Sequence, residues 1–403
     1  MKINIVINTK IVIKRPNLKH ITYVVLNMLK NIFQQVVVEV VINFAKEHMK
    51  NGKLAERLKC KKVRWKTSKG NRTTKIRTIF GYITIPQFQI EWLDNNGVWH
   101  KMYIVRMILG IEKWKRIPEY TKRVFAMIGA LAPYRAVMKI LEIMSGIKVP
   151  IMDIWRSVQS VGKNIKFDVD ENESNVFEGD GTGIPVPEAG KRGEELKVLA
   201  QRKKRGGIRL AGINIGKYKK GWDKLFKPLR DKLKSFGEIV LITDGDTNIF
   251  KGVGKKVRVI LQRCLWHIPH ETKYTLWQDK VKRKSAIWKY ILARIILICN
   301  VKRLYYEEDD VIDKIIDEKM EMLNKLINSC KNMGYTNTYT FLLNSKNDIF
   351  GGIQRGIKGG TTSLVERVMR TINNRINVGT WSPQGSLNVC KIRGAYYYND
   401  WSI

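Results

Sequence analysis

The chain has 403 residues, of which 44% are hydrophobic; that is enough for two or three domains with their own cores and excludes disorder throughout. Lys and Arg total 74 against 36 Asp and Glu, a formal net charge of +38, which points first to a nucleic-acid backbone as partner, with a basic membrane-surface protein as the competing reading. Five widely spaced cysteines, Cys60, Cys264, Cys299, Cys330 and Cys390, with no Cys-x-x-Cys step, argue against a disulfide framework and for a reducing compartment.

The opening MKINIVINTKIVIKRP is too often broken by polar and basic residues to be a signal peptide. Residues 1 to about 55 read as a short strand and then a long helix. The apolar stretch 21–44 is interrupted by Asn27, Lys30, Asn31, Gln34, Gln35 and Glu39, which favours an amphipathic or buried helix over a membrane span. A basic run, 59–65, precedes the β-rich stretch 77–92. Asp94-Asn95-Asn96-Gly97 is a turn signal, so a hairpin completed by 98–104 is expected.

Three helical runs follow, at 120–131, 134–144 and 151–161, with Gly146 in a C-cap position. The last two permit a helix-turn-helix at 134–162, in which Arg156 and Lys163 would meet DNA; plain core packing of the third helix accounts for the same pattern. The acidic FDVDENES, 167–174, marks a change of character. The expected division is therefore an N-terminal DNA-binding region, 1–165, and a second domain, 166–403.

The second domain begins with a strand at 175–177, a turn through 185–190 and a basic stretch, 202–209. The alternation of 206–215 is a strand, 222–236 a helix, and 238–243 and 257–261 two further strands. This β-β-β-α-β-β order, with carboxylates at strand ends, is that of an RNase H-like core. Residues 270–358 read as a helical insertion, where Ile312, Ile316, Leu323 and Leu326 sit at core spacing; 351–360 is a glycine-rich loop, and 363–376 a helix with Ser363 as N-cap.

Phosphodiester cleavage needs an activated oxygen nucleophile and a stabilised leaving oxygen, and two magnesium ions about 4 Å apart provide both. Magnesium takes hard oxygen ligands and keeps several waters, so two or three carboxylates suffice. Asp180, in FEGDGTG, follows a short apolar strand between two glycines that leave room for a metal or phosphate. Asp244 follows VLIT. Either could instead be an ordinary turn aspartate. Glu366 shares a helix with Arg367 and Arg370, and Arg375 follows; it is either an ion-paired surface residue or a ligand set among phosphate-binding arginines.

Four pieces, GDG at 179–181, TDGD at 243–246, QRCLWH at 262–267 and ERVMRTINNRINVGTWSP at 366–383, resemble in order and spacing the Mutator-like transposases of prokaryotic insertion sequences. The resemblance covers about 165–395. It implies an α/β fold with an RNase H-like catalytic core, a helical insertion, and Asp180, Asp244 and Glu366 as the catalytic, metal-binding triad. It implies magnesium, with manganese as a substitute, and a near-site role for Cys264 and His267. That pair lacks the further ligands of a zinc site; Cys264 is expected to pack beneath the carboxylates and His267 to bond a carboxylate or DNA. The expected protein is a cytoplasmic, nucleoid-associated transposase with no membrane partner. It would bind terminal inverted repeats and target DNA through Arg202, Lys203, Lys204, Arg205, Arg367, Arg370 and Arg375, as a homodimer or larger assembly. A nuclease without joining activity and an inactive transposon-derived DNA-binding protein are the alternatives.

Overall fold

The chain forms two compact units, Met1–Lys163 and Asn164–Ser402, of mixed α/β structure. The computed structural model describes residue 7 and residues 17–401 apart from 51–52, 67–71, 110, 112–115, 146–147, 186–193 and 302–308. The strand expected ahead of the first helix, the Gly146 helix end and most of the 185–190 turn lie outside the described residues.

The first unit opens with α1 (Leu18–Lys50), 33 residues with no Pro or Gly to interrupt them, and the short α2 (Lys53–Leu58). Within α1, His20–Phe44 is long and apolar enough to cross a membrane, with a mean hydropathy of 1.4. Phe33, Val37, Val38 and Val41 of this helix pack on Ile76, Ile83 and Ile85, while Leu18, Tyr23 and Leu29 are exposed. The helix therefore presents apolar groups both to the unit's core and to solvent.

The stretch expected to be one hairpin is two. β2 (Thr73–Thr78) pairs with β3 (Gly81–Pro86), and β4 (Gln89–Leu93) lies between β1 (Lys62–Lys66) and β5 (Trp99–Tyr103) in an antiparallel sheet. Asp94 makes the second turn: its Oδ1 accepts from the backbone N–H groups of Asn96 and Val98, both at 2.9 Å.

After α3 (Val105–Ile108) come α4 (Glu119–Leu131), α5 (Tyr134–Ser145) and α6 (Ile151–Asn164). Gly129 lets α4 close on α6, because a Cβ there would lie 2.9 Å from Cγ2 of Ile154 and of Val158. α6 thus spends Ile154, Val158 and Val161 on packing and leaves Arg156 and Lys163 exposed.

The second unit is built on a five-stranded sheet of β6 (Val176–Ile184), β7 (Glu194–Arg202), β8 (Ile208–Ile215), β9 (Ile239–Thr243) and β10 (Val259–Arg263), in the order β10-β9-β6-β7-β8. The first three strands are antiparallel, while β9 runs parallel to both β6 and β10. Strand alternation gives the sheet two faces. One carries Phe177, Leu199 and Leu241 and is covered by α7 (Tyr218–Phe226), α8 (Arg230–Ser235) and α9 (Thr247–Val253). The other carries Glu178, Asp180, Val240 and Ile242; on it lie α14 (Ser363–Asn373), through Val365, and α15 (Pro383–Tyr398), through Gly394 against Leu210. The single helix expected at 222–236 is α7 and α8, divided at Pro228, which cannot donate within a helix.

Between β10 and α14 stands the helical insertion: α10 (His267–Gln278), α11 (Ala286–Cys299), α12 (Asp309–Asn332) and α13 (Thr336–Ser345), then a 3₁₀ turn at Ile353–Arg355. Its core joins Leu276, Ile291, Ile295, Ile298, Ile316, Leu323 and Leu342. The glycine-rich loop returns along β10: a Cβ on Gly351 would sit 2.4 Å from the Leu261 carbonyl oxygen.

Candidate active site

Asp180 lies within β6, not after it, because the strand continues through the glycines to Ile184, paired with β7 along that length. The parallel register of β6 and β9 ends with Glu178 opposite Ile242; Asp180 stands two residues beyond that pair on β6, and Asp244 directly follows β9. Glu178, Asp180 and Ile242 share the face on which α14 lies, and α14 carries Glu366 in its first turn.

Asp180 is 8% exposed. Burial, then repulsion from Asp244 and Glu366, raises its carboxyl to about 7, against the Gly181 N–H bond and the attraction of His267. Among the described residues no cationic side chain forms an ion pair with Asp180. Asp244 is exposed, and its Oδ1 accepts from the Asp246 N–H at 2.9 Å. Asp246 is a structural residue: it caps α9 through the Asn248 N–H and accepts from Trp222 Nε1 at 3.2 Å.

Glu366 is held from two sides. Its Oε1 lies 3.0 Å from the Thr362 hydroxyl and 3.8 Å from His267 Nε2. The same hydroxyl lies 3.3 Å from Cys264 Sγ and 3.5 Å from His267 Nδ1, and its single proton serves one acceptor at a time. Thr362, not Ser363, is the residue that precedes α14 as N-cap. Cys264 is fully buried and also accepts from the Thr362 N–H at 3.3 Å. Burial pulls the His267 imidazole down, but the Cys264 hydrogen bond and charge, Glu366 and Asp180 outweigh it and raise the group to about 9. His267 therefore favours its cationic form beside Glu366, 3.8 Å away.

Glu178, two residues before Asp180, is completely buried and accepts from Arg202 Nε at 2.7 Å and from the Val365 N–H at 3.0 Å. Arg202 also donates to the carbonyls of Lys358, Gly359 and Thr361, at 2.6, 2.7 and 3.2 Å. This corrects its expected place on a DNA-facing surface: its donors tie the loop before α14 to the sheet. Arg375 is corrected likewise. It is 7% exposed, stacks 4.8 Å from the Trp381 ring centroid and donates to the Val378 carbonyl, so it closes the turn after α14.

Lys203, Lys204 and Arg205 stand in the turn between β7 and β8, at least five residues along the sheet from Val198, the partner of Asp180. At about 3.3 Å per residue that is roughly 17 Å along the strand from Val198. Arg367 and Arg370 are exposed on α14 beside Glu366. A Cβ on Gly179 would lie 2.2 Å from Ile249 Cδ1, so that glycine admits α9 on the opposite face and makes no room for a ligand.

Thr362, Glu178 and a basic cleft escaped the sequence. The cleft, about 920 Å³, is formed by α7, α8 and α9 and lined by Lys219, Lys227, Lys234, Lys251, Lys255 and Lys256. Among the described residues no three His, Cys, Asp or Glu side chains form a ready-made metal cage. The donor chemistry nevertheless fits magnesium, which is held by one or two carboxylates and completes its shell with water and phosphate. Burial first, and then the charges of Asp244 and Glu366, raise the Asp180 carboxyl, and a bound cation would lower it again.

No protein-family model matches the chain, and the comparison with curated proteins gives no match.

Proposed function

We propose that the chain is a metal-dependent DNA transposase that cleaves at the ends of its element and joins them to target DNA. The observation that carries this reading is that Asp244, directly after β9, and Glu366, in the first turn of α14, both stand close enough to the buried Asp180 of β6 to help raise its carboxyl. The strand order, three antiparallel strands followed by two parallel ones beside the first, supports an RNase H-like core. The resemblance of the four motif pieces to Mutator-like transposases supports the same assignment.

In this reading Asp180, Asp244 and Glu366 hold the magnesium ions. When bound, two such ions activate the attacking oxygen and neutralise the leaving oxygen. His267 offsets the negative charge of the empty carboxylates, and with Thr362 it aims Glu366. The Glu178–Arg202 pair fixes the loop that leads into α14. Arg367, Arg370 and the lysine cleft attract phosphates, and Arg156 and Lys163 offer contacts for the element ends. Acting on two ends calls for at least two copies of the chain.

The test is a pair of assays on the full chain, gel shift and magnesium-dependent cleavage of a duplex carrying the inverted repeats that flank the gene. Cleavage followed by joining to a second duplex is expected. Cleavage without joining would make the protein a nuclease, and binding without either would make it a DNA-binding protein only.

A further inference from the structure

We propose that the outer face of α10 is a stacking platform for unpaired DNA bases beside the carboxylates, an inference that rests on the DNA-processing reading above. The helix has two distinct sides. Ile268, Thr272 and Leu276, four residues apart, are buried in the insertion. The opposite side carries Trp266, His270, Lys273, Tyr274 and Trp277, also at helical spacing. Trp266 is 55%, Tyr274 53% and Trp277 71% exposed. Packing of the insertion does not require these rings, and leaving them in water forfeits their burial.

Their geometry is that of a continuous aromatic surface. The Trp266 and His270 rings are stacked, 4.9 Å between centroids at 16°, and Tyr274 meets His270 edge-on at 5.2 Å. The surface reaches the candidate active site, for Trp266 is edge-on to His267 at 4.9 Å and His267 lies 3.8 Å from Glu366. A cavity of about 450 Å³ opens where α10 begins and α11 ends. Trp266 and His270 give it an aromatic wall, Asn300 and Thr361 polar groups, and Lys273 a positive charge.

A paired duplex hides the faces of its bases and cannot use such a wall. An unpaired base can stack on it while Lys273 meets the neighbouring phosphate. A strand distorted for cleavage offers such a base at low cost. The platform would hold the strand next to the carboxylates.

The test uses the full chain and two labelled probes, a short single-stranded oligothymidine and a duplex of the same length, with binding read by fluorescence anisotropy. Trp266→Ala and Tyr274→Ala should each weaken single-strand binding by roughly 5- to 150-fold, the range for loss of one base–aromatic stack. Trp266→Phe should keep most of the affinity, and all three should bind duplex as the parent does, which also checks that they fold. Alanine variants that bind the single strand like the parent, or that lose strand and duplex equally, would overturn the inference alone. A parent that binds neither probe would overturn the DNA-processing reading and the platform with it.

Discussion

The Arg202 guanidinium sits 2.7 Å from the completely buried Glu178 carboxylate and spends its remaining donors on the loop that starts the Glu366 helix. Only Gly179 separates Glu178 from Asp180, so one ion pair ties the strand that carries Asp180 to the loop that leads into the Glu366 helix. Removing one partner leaves the other charged and buried, which costs about 3–5 kcal/mol. Arg202→Met should therefore lower stability in urea by about that amount. Adding Glu178→Leu should recover part of the loss, since no unpaired charge then remains. A parent-like denaturation midpoint for Arg202→Met would show that the pair contributes little.

The second expectation concerns pH. In the folded, metal-free protein the Asp180 carboxyl is raised to about 7 by burial, Asp244 and Glu366. Between the ordinary aspartate value and about 7 the folded state holds a proton that the unfolded state has lost, so stability must fall as pH rises across that window. The slope is about 1.4 kcal/mol for each pH unit in which this one proton differs fully. Asp180→Asn should flatten that decline and melt higher than the parent at pH 8 without metal. Magnesium should raise the melting temperature of the parent and have much less effect on the variant. Equal responses to magnesium would show that Asp180 is not a ligand.

Thr362 gives a third, finer expectation. Thr362→Val keeps the shape and removes the hydroxyl that lies 3.0 Å from Glu366. A lost hydrogen bond to a carboxylate is worth about 1.5–3 kcal/mol, so cleavage at limiting magnesium should slow by roughly 10- to 150-fold. Saturating magnesium should recover part of the rate, and Thr362→Ser should recover most of it. A Val variant that cleaves like the parent at every magnesium concentration would leave Thr362 with a packing role.

The lysine cleft predicts where phosphate attraction resides. Lys251→Glu and Lys255→Glu should each weaken duplex binding at low salt and make the dependence on salt shallower by about one phosphate contact. Lys204→Glu, in the turn between β7 and β8, should matter less to cleavage than to overall affinity. Unchanged salt slopes in both cleft variants would place the DNA elsewhere.

Much of the core strand pattern was legible because apolar alternation and Asp-Gly steps are local signals. The run of β6 past residue 177 was not, since FEGDGTG is poor in strand-forming residues and is held extended by pairing with β7, a long-range cause. The division at Pro228 was readable from that proline. α9 is only seven residues long, and α15 carries Gly394 to fit against Leu210 and so lacks a simple helical stripe. Charge was the least legible property. Arg202, Arg375 and Arg370 look alike in sequence, yet the first meets a buried glutamate, the second a tryptophan and only the third meets solvent. Glu178 and Thr362 stand in ordinary-looking positions; besides nearer partners, Arg202 and Glu366, each has one far along the chain, Val365 187 residues from Glu178 and Cys264 98 residues from Thr362, a separation no local pattern reports.

The most direct measurement compares the parent, Asp244→Asn and Asp246→Asn in one magnesium-dependent cleavage and joining assay on a duplex carrying an element end, with gel shifts on the same samples. Asp244 acts on the Asp180 carboxyl, whereas Asp246 caps α9. The account predicts that Asp244→Asn binds DNA like the parent but neither cuts nor joins it, while Asp246→Asn, where it folds, retains both steps. Parent-like cleavage by Asp244→Asn would contradict the account.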